Sequence, residues 1–333
     1  MTGQALHVHT DTRYVPDAAD TASAVLERLP SLAGTQRRLE LLTGGLTNRN
    51  YRVSLASGEQ FVARFAGAKS SLLAIDRDAE YRNSVSAAQA GVGPEVVEYA
   101  PKQGVLLVKW INGRTFGDAD LDNAAQLQRV AQLCRELHAG PRFVGAFDMF
   151  DIQRRYLRIV RESGFRLPDG YLSFEPALRR IEDVLRASAT DTVPCHNDLL
   201  AANILDDGTR LWFIDYEYAG NNDPCFELGN IWSEAALDPD RLEHLVASYF
   251  GTPSPAITAR ARLFGLAAKY GWTLWASIQA AVSEVDFDFW QWGIEKYARA
   301  CKEFRGPELN QLISTVAESL RDRGAEQWPT PSR

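Results

Sequence analysis

The stretch Cys195–Glu217 constrains this chain more than any other part of its sequence. It reads C-H-N-D-L-L-A-A-N-I-L, then a short D-D-G turn, then L-W-F-I-D-Y-E. His196, Asp198 and Asn203 stand in the spacing H-x-D-x-x-x-x-N, and the apolar run L-W-F-I predicts a strand that delivers Asp215. One short unit therefore combines a candidate base with two candidate metal ligands.

These residue types suit phosphoryl transfer from a nucleotide. Such a reaction uses magnesium to neutralise phosphate charge, and this hard cation prefers carboxylate and amide oxygens, which Asn203 and Asp215 supply. Asp198 would accept or orient the proton of the attacking hydroxyl, while His196 holds the loop by hydrogen bonds. The alternative is that N-D and D-D-G are only turn residues between apolar runs, and the strand that leads to Asp215 argues against it.

The composition is that of an ordinary globular protein with material for about two domains of ~150 residues each. It has 333 residues, 45% of them hydrophobic, and a net charge of −7 without a lysine and arginine block, so nucleic acid is a poor partner. The four cysteines lack C-x-x-C spacing and the start of the chain lacks a basic segment followed by an apolar run, which favours reduced thiols and a cytoplasmic location. The longest uncharged apolar run is too short for a bilayer, so no membrane partner is expected.

Period-two alternation predicts an antiparallel sheet in the first third of the chain. A mobile tail over residues 1–18 precedes it, and its His7 and His9 are more typical of a floppy segment than of a metal site. The predicted strands lie near residues 39–41, 51–55, 61–65, 95–99 and 105–109. With a helix that Asp76 caps and Gly91 ends, they give a five-stranded sheet and one helix.

The loop G-G-L-T-N-R-N over residues 44–50 is a candidate phosphate-binding loop. Glycines such as Gly45 let backbone N–H groups approach a phosphate, and the side chains of Thr47 and Asn48 add donors. The loop is not G-x-G-x-x-G, and a hairpin that contains glycine is more often a structural turn.

Two charged residues could orient the phosphates of a nucleotide. Arg64 points to the strand face opposite Phe61, Ala63 and Phe65, and Glu80 lies in the first turn of the predicted helix. The alternative is a solvated arginine and a glutamate that complements the helix dipole.

The last predicted strand of the sheet ends at Lys109, and the turn W-I-N-G that follows contains Ile111. An edge at this hinge could offer backbone groups to adenine, which makes both residues candidates for nucleotide binding. Helical periodicity then takes over, so a boundary is predicted near residue 112, with helices over 113–323 and a tail over 324–333.

With these motifs in place, the chain resembles the choline/ethanolamine kinases, especially their short bacterial members, within the aminoglycoside-phosphotransferase and protein-kinase-like fold. The resemblance covers roughly residues 38–305, and its most specific piece is E-Y-A-G after Asp215. The matching stretches are 44–51, 61–67, 196–198 with Asn203, 214–220, 226–230 with Glu234, and 272–275 through Gln279.

The resemblance implies an α+β fold with two lobes. A small N-terminal lobe over 19–112 would hold the five-stranded antiparallel sheet and one helix, and a larger, mainly helical lobe over 113–323 would hold the catalytic and substrate-binding residues. It also implies ATP and Mg²⁺ as cofactors, and a reaction that phosphorylates the hydroxyl of choline or a related small amino alcohol.

By the same resemblance, Asp198 is the base, Asn203 and Asp215 hold magnesium, and Arg64 with Glu80 orients the ATP phosphates. The substrate residues implied are Trp272, Trp275 and Trp292 around a quaternary ammonium, with Glu217 or Glu234 nearby. Ring faces suit such a cation because it cannot donate hydrogen bonds. From periodicity alone, however, an aromatic pair at 272 and 275 is more typical of a helix core.

Two positions depart from the family pattern, and two other functions stay open. Glu227 stands where the family generally has Asp, which affects the geometry of the catalytic region, and Trp292 stands where Tyr is common, which affects the size of the pocket. Another kinase substrate on the same fold, such as ethanolamine, thiamine or an aminoglycoside, is one alternative. A catalytically silent nucleotide-binding adaptor is the other, and the presence of Asp198, Asn203 and Asp215 argues against it.

Overall fold

The computed structural model describes residues 19–43, 45–67, 72–189 and 191–323. Within them the chain forms two compact units. The first comprises the residues up to 67 together with Val96–Trp110, and the second comprises 72–95 and the residues from Ile111 onward. The predicted tails over 1–18 and 324–333, together with His7, His9 and Gly44, lie outside the described residues.

The first unit is built on one antiparallel sheet of five strands, as predicted. Its spatial order is β1-β2-β3-β5-β4, and a short helix α1 (Ala19–Leu26) precedes it. The strands are β1 (Arg37–Leu42), β2 (Asn48–Leu55), β3 (Gln60–Ala66), β4 (Val96–Ala100) and β5 (Val105–Lys109). The predicted strand ends are correct to within about three residues. The error lies at the ends because the residue pattern locates the middle of a strand better than its first and last residues.

One face of this sheet forms the core of the first unit. Tyr51, Val53, Phe61, Ala63 and Phe65 are buried there with the apolar face of α1. Arg64 points to the opposite face, as strand alternation predicts, and it is only 9% exposed, so it is not a solvated surface arginine.

The second unit is mainly helical. Its helix α2 (Arg77–Gln89) begins at Asp76, whose Oδ1 accepts the N–H groups of Asp78 and Ala79, and Gly91 follows it with φ +74°. The later helices are α3 (Asp118–Leu121), α4 (Ala124–His138), α5 (Met149–Glu162), α6 (Glu175–Ala187), α7 (Pro224–Glu234), α8 (Pro239–Phe250), α9 (Pro255–Val282), α10 (Phe289–Arg305) and α11 (Glu308–Arg323).

Five short strands between the helices position the stretch 195–217. Two of them, β8 (Ile204–Asp206) and β9 (Leu211–Phe213), form a hairpin around the predicted turn, where Gly208 has φ +90°, and β9 is the strand predicted before Asp215. The others, β6 (Arg114–Thr115), β7 (Val193–Cys195) and β10 (Gly220–Asn222), were not predicted because strands of two or three residues leave no periodic signal.

Helix α9 is the centre of the second unit, and α7 packs directly on it. The two helices approach most closely at Gly229 and Gly265, where a Cβ on Gly229 would lie 2.0 Å from the carbonyl oxygen of Ala261. Only glycine allows this approach, which brings the buried polar side chains of α7 against the aromatic residues of α9. None of the described helices is apolar enough over sufficient length to cross a membrane.

Candidate active site

The loop between β7 and β8 carries Asp198 and Asn203, and Asp215 follows β9. The Nδ2 of Asn203 donates to the backbone carbonyl of Asp198 at 2.8 Å, and the carbonyl of Asn203 accepts the N–H of Ile214 at 3.0 Å. Asp215 follows Ile214 directly, so these two bonds bring all three side chains to one end of the β8–β9 hairpin. Asn203 has committed its amide nitrogen, which leaves its Oδ1 as the atom for a cation.

His196 ties the loop to the strand that precedes Asp215. Its Nε2 donates to the carbonyl of Ile214 at 2.8 Å, and its Nδ1 accepts the N–H of Asp198 at 3.3 Å. The side chain is fully buried. His196 therefore fixes the backbone of Asp198 and has no exposed nitrogen with which to act on a substrate.

Two residues of this region adopt left-handed backbone conformations that side chains disfavour. Asn197 has φ +66° and Asp215 has φ +70°. The Nδ2 of Asn197 donates to the carbonyls of Cys195, Tyr218 and Gly220 at 3.0–3.2 Å, so buried hydrogen bonds offset the strain. Sequence reasoning missed Asn197, although it stands inside the motif.

Glu227 anchors the same loop from α7. Its Oε2 accepts the N–H of His196 at 2.6 Å and its Oε1 accepts the N–H of Asn197 at 3.1 Å, and the residue has no solvent exposure. The longer side chain that departs from the family pattern therefore still reaches two backbone donors of the catalytic loop.

Two buried polar side chains, His138 and Cys195, lie near Glu227. The Nε2 of His138 lies 3.6 Å from both the Glu227 Oε2 and the Cys195 Sγ, and its Nδ1 lies 2.6 Å from the hydroxyl of Tyr249. Burial and the charge of Glu227 raise the pKa of Cys195 well above its usual range, which keeps the thiol protonated.

Asp198 is half-buried among other carboxylates. Burial raises its pKa well above the usual range, and the charges of Glu234, Glu217 and Asp215 raise it further, while Lys296 opposes them. A carboxylate in such surroundings is stabilised either by a cation close to it or by binding a proton. A base that works beside metal-bound phosphate needs this tendency to bind a proton.

Glu217, predicted to attract a substrate cation, already has a cationic neighbour. Arg77 Nη1 lies 3.2 Å from Glu217 Oε2 and 2.6 Å from Glu80 Oε2, and both carboxylates are 4% exposed. Sequence reasoning missed Arg77, although its place three residues before Glu80 puts them on one helix face. The predicted pairing of Glu80 with Arg64 stays a prediction.

The three predicted tryptophans have different surroundings. Trp275 and Trp292 meet edge to face with ring centroids 5.5 Å apart, and Trp275 Nε1 donates to the hydroxyl of Tyr218 at 2.9 Å. Trp272 instead packs against Tyr218 and Phe147, with centroids at 5.1 and 6.2 Å, and donates to Asn230 Oδ1 at 3.1 Å. Tyr218 therefore lies between Trp272 and the Trp275–Trp292 pair.

Glu234, the second predicted acidic residue, forms an ion pair with Lys296 through its Oε2. The Lys296 Nζ lies 4.0 Å from the centroid of the Trp292 ring, and the two charged side chains are 2–3% exposed. Burial lowers the pKa of Lys296, and Glu234 counteracts that effect. Sequence reasoning missed Lys296, although it stands four residues after Trp292 and so on the same helix face.

The predicted nucleotide-binding residues of the first unit cluster around a tightly folded loop. A Cβ on Gly45 would lie 2.6 Å from the Asn48 carbonyl oxygen, and one on Gly67 would lie 2.3 Å from that of Thr47. Asn48 is 8% exposed and pairs in β2 opposite Ala66.

The other two nucleotide candidates lie at the end of β5. Lys109 is its last residue and is exposed, whereas Ile111 is half-buried and is the first residue of the second unit's later segment. Between them, the N–H of Trp110 donates to the Gln60 carbonyl at 3.0 Å. The chain therefore passes from one unit to the other at this point.

Comparisons with known proteins agree with this geometry. The choline/ethanolamine kinase family model matches residues 39–249. Protein LicA of Haemophilus influenzae is 32% identical over 212 residues, which span 62% of this chain and 61% of the LicA protein, and ethanolamine kinase 1 of Homo sapiens is 27% identical over 315 residues, which span 82% and 68%.

A solved structure has the same fold. The crystal structure of a choline/ethanolamine kinase family protein from Mesorhizobium loti is 32% identical, with a TM-score of 0.77, and covers 90% of this chain and 99% of that one. The α+β, protein-kinase-like fold expected from the sequence is thereby confirmed. From the family match over residues 39–249 and this structural similarity, the chain belongs to the choline/ethanolamine kinase family.

Proposed function

We propose that this protein is an ATP- and magnesium-dependent kinase that phosphorylates the hydroxyl of choline or a related small amino alcohol. The observation that carries the proposal is the hydrogen-bonded unit of Asp198, Asn203 and Asp215. Asn203 holds the Asp198 carbonyl at 2.8 Å and the Ile214 N–H at 3.0 Å, so one residue sets the positions of both carboxylates. The match to LicA and to an ethanolamine kinase supports the substrate class.

In the proposed mechanism, Asp198 accepts the proton of the substrate hydroxyl, or orients that hydroxyl, as it attacks the terminal phosphate. His196 and Asn203 keep Asp198 in place through its N–H and its carbonyl. Asn203 Oδ1 and the Asp215 carboxylate form an all-oxygen donor set that fits Mg²⁺. When bound there, the metal would neutralise phosphate charge.

The nucleotide is assigned to the first unit. Gly45, Thr47, Asn48 and Arg64 would contact the phosphates, and the segment that begins at Lys109 would offer backbone groups to the base. The close packing of Gly45 on the Asn48 carbonyl supports this assignment, because it fixes the loop that carries the donors.

The substrate ammonium is assigned to the second unit. An aromatic group is formed by Trp275, Trp292 and Tyr218: the two tryptophan rings meet edge to face, and Trp275 donates a hydrogen bond to Tyr218. The negative charges of Glu234 and Glu217 raise the pKa of Asp198. Trp272 supports this group through Tyr218. A compact cation suits such a site better than a polycationic aminoglycoside, which calls for many exposed carboxylates.

The predicted lobes, 19–112 and 113–323, and a cytoplasmic location complete the proposal. All four cysteines are free thiols, three of them buried and Cys301 half-buried, as expected for a reducing compartment.

The proposal is tested by ADP release from ATP and Mg²⁺ with choline, ethanolamine, dimethylethanolamine, thiamine or an aminoglycoside as the acceptor. We expect turnover with one or more of the three amino alcohols, and none when Mg²⁺ is chelated. Turnover with thiamine or the aminoglycoside alone would replace the proposed substrate class. Tight ATP binding without turnover of any acceptor would favour an adaptor.

Trp275→Ala is expected to raise the KM for the amino alcohol about tenfold and to leave the KM for ATP nearly unchanged. Loss of one aromatic face for a desolvated cation corresponds to about 1–2 kcal/mol. The matched control is Trp290→Ala, in the same part of the chain, where the ring stacks on Arg166 with 3.8 Å from guanidinium to centroid. An unchanged amino-alcohol KM in Trp275→Ala would remove that residue from the substrate site.

Gly45→Ala is expected to raise the KM for ATP about tenfold without changing the KM for the amino alcohol. The added Cβ would stand 2.6 Å from a backbone oxygen, so the loop must shift, at about 1–3 kcal/mol. Gly117→Ala is the control, because a Cβ there meets nothing within 4 Å. Equal ATP KM values in the two variants would mean that the 45–50 loop does not bind the nucleotide.

A further inference from the structure

A buried ion pair of Glu234 and Lys296 lies against the half-buried ring of Trp292. Lys296 pairs with Glu234 Oε2 and places its Nζ 4.0 Å from the centre of the Trp292 ring. Trp292 meets Trp275 edge to face with centroids 5.5 Å apart, and Trp275 Nε1 donates to the hydroxyl of Tyr218 at 2.9 Å, so the ion pair adjoins the aromatic group proposed for the substrate ammonium. The protein's own ammonium thus occupies one face of an aromatic ring that the sequence assigned to a substrate ammonium.

The other oxygen of the Glu234 carboxylate has no partner. Oε1 is buried and accepts no hydrogen bond from any of the described residues, and the Nδ2 of Asn230, one helical turn earlier, is also buried without an acceptor there. A buried acceptor without a donor costs about 1–3 kcal/mol, and more when it is charged. Such an atom in a substrate-binding region indicates a ligand that brings its own donor.

These two observations distinguish between the candidate amines. Ethanolamine and its mono- and dimethyl derivatives are protonated at neutral pH and carry at least one N–H, whereas choline carries none. A quaternary ammonium relies on ring faces, and Lys296 already occupies a face of Trp292. An N–H on the substrate would instead satisfy Glu234 Oε1 with a charge-assisted hydrogen bond.

We propose that Glu234 Oε1 accepts an N–H from the substrate ammonium, and that Lys296 makes the site selective for amino alcohols that retain an N–H. The inference rests on the proposed kinase function and narrows its substrate to the ethanolamine class. Lys296 acts by holding Glu234 Oε2 and covering Trp292, so it is a specificity-determining residue that does not itself bind the substrate.

The first test is kcat/KM of the unmodified protein along the series ethanolamine, methylethanolamine, dimethylethanolamine and choline. We expect a fall of at least about tenfold at the last step, where the final N–H is lost, and smaller changes at the two earlier steps. A bad fit caused by size alone would instead change kcat/KM by similar factors at each methyl.

The second test is Glu234→Gln. Lys296 will hold the amide oxygen, which leaves the amide NH₂ in the position of Oε1, where it cannot accept an N–H. In this variant we expect kcat/KM for dimethylethanolamine and kcat/KM for choline to differ by no more than about threefold. The change should come from a loss of activity on dimethylethanolamine.

A second ion pair beside a tryptophan, in which the carboxylate is half-buried, supplies the control. Glu303 pairs with Lys269, whose Nζ lies 4.5 Å from the centroid of Trp232. Glu303→Gln makes the same chemical change in a similar setting and is expected to leave the substrate ratio unchanged.

The outcomes separate the two proposals. Turnover of none of the four amino alcohols would overturn the proposed function itself. Turnover of choline equal to or better than that of dimethylethanolamine, or a Glu234→Gln ratio equal to that of the unmodified protein, would leave the kinase function in place and overturn the inference.

Discussion

Asp198→Asn is expected to lower kcat for amino-alcohol phosphorylation by about 10²-fold or more and to leave the Kd for ATP unchanged. Asparagine has the size of aspartate but cannot take a proton from the substrate hydroxyl, and general-base catalysis contributes roughly 10²–10⁴-fold. The backbone contacts of Asp198 with His196 and Asn203 do not involve its carboxylate, so the loop should keep its shape.

The same variant should be at least as stable as the unmodified protein. The pKa of Asp198 is raised in the fold, which means that folding disfavours its ionised form. This unfavourable contribution grows as the pH rises above the ordinary carboxyl pKa and is complete above the raised pKa. A neutral asparagine removes it. Thermal denaturation at neutral pH measures this, and a Tm equal to or above that of the unmodified protein is the expected result.

The matched control is Asp207→Asn, in the turn of the adjacent hairpin. The Asp207 carboxylate accepts bonds from Thr209, Arg210 and Trp212, and these hold its pKa well below the usual range. This variant should lose stability and keep its kcat, the opposite of Asp198→Asn. Near-normal turnover in Asp198→Asn would refute its role as the base.

Local sequence patterns predicted the elements of the fold well. Alternation placed three strands of the first sheet, and turn residues set off the two runs that form β4 and β5. The cap at Asp76 and the glycine at 91 bounded α2. Each of these signals involves neighbours in sequence. The motif 196–215 likewise formed one unit, since its parts are joined by a single hairpin.

The electrostatic partners of the site could not be predicted in the same way. Arg77 reaches Glu217 over 140 positions and Lys296 reaches Glu234 over 62, and neither pairing leaves a periodic signal. The difference in setting between Trp272 and Trp275 depends on Tyr218 from another segment. Sequence reasoning identified the acidic residues as candidates and missed the cations that neutralise them.

Glu227→Gln is expected to destabilise the protein by about 2–4 kcal/mol and to lower kcat at least tenfold. The carboxylate accepts two backbone N–H groups in a site without solvent, and hydrogen bonds to a charged group contribute about 1.5–3 kcal/mol each. Glutamine keeps one acceptor and turns the other into a donor that faces a backbone N–H. In a protein of this size the loss should lower Tm by roughly 3–6 °C.

The comparison that distinguishes positioning from general stability is Glu227→Asp, the residue usual in the family. Aspartate keeps both acceptor oxygens on a shorter side chain, so we expect it to retain more kcat than Glu227→Gln even though it leaves a gap of one methylene in the core. If Glu227 positions the catalytic loop, kcat should follow the number of acceptor oxygens, while the ATP Kd stays constant in both variants. If it only stabilises the fold, kcat of the folded fraction should be equal in the two variants and in the unmodified protein, whatever their Tm values.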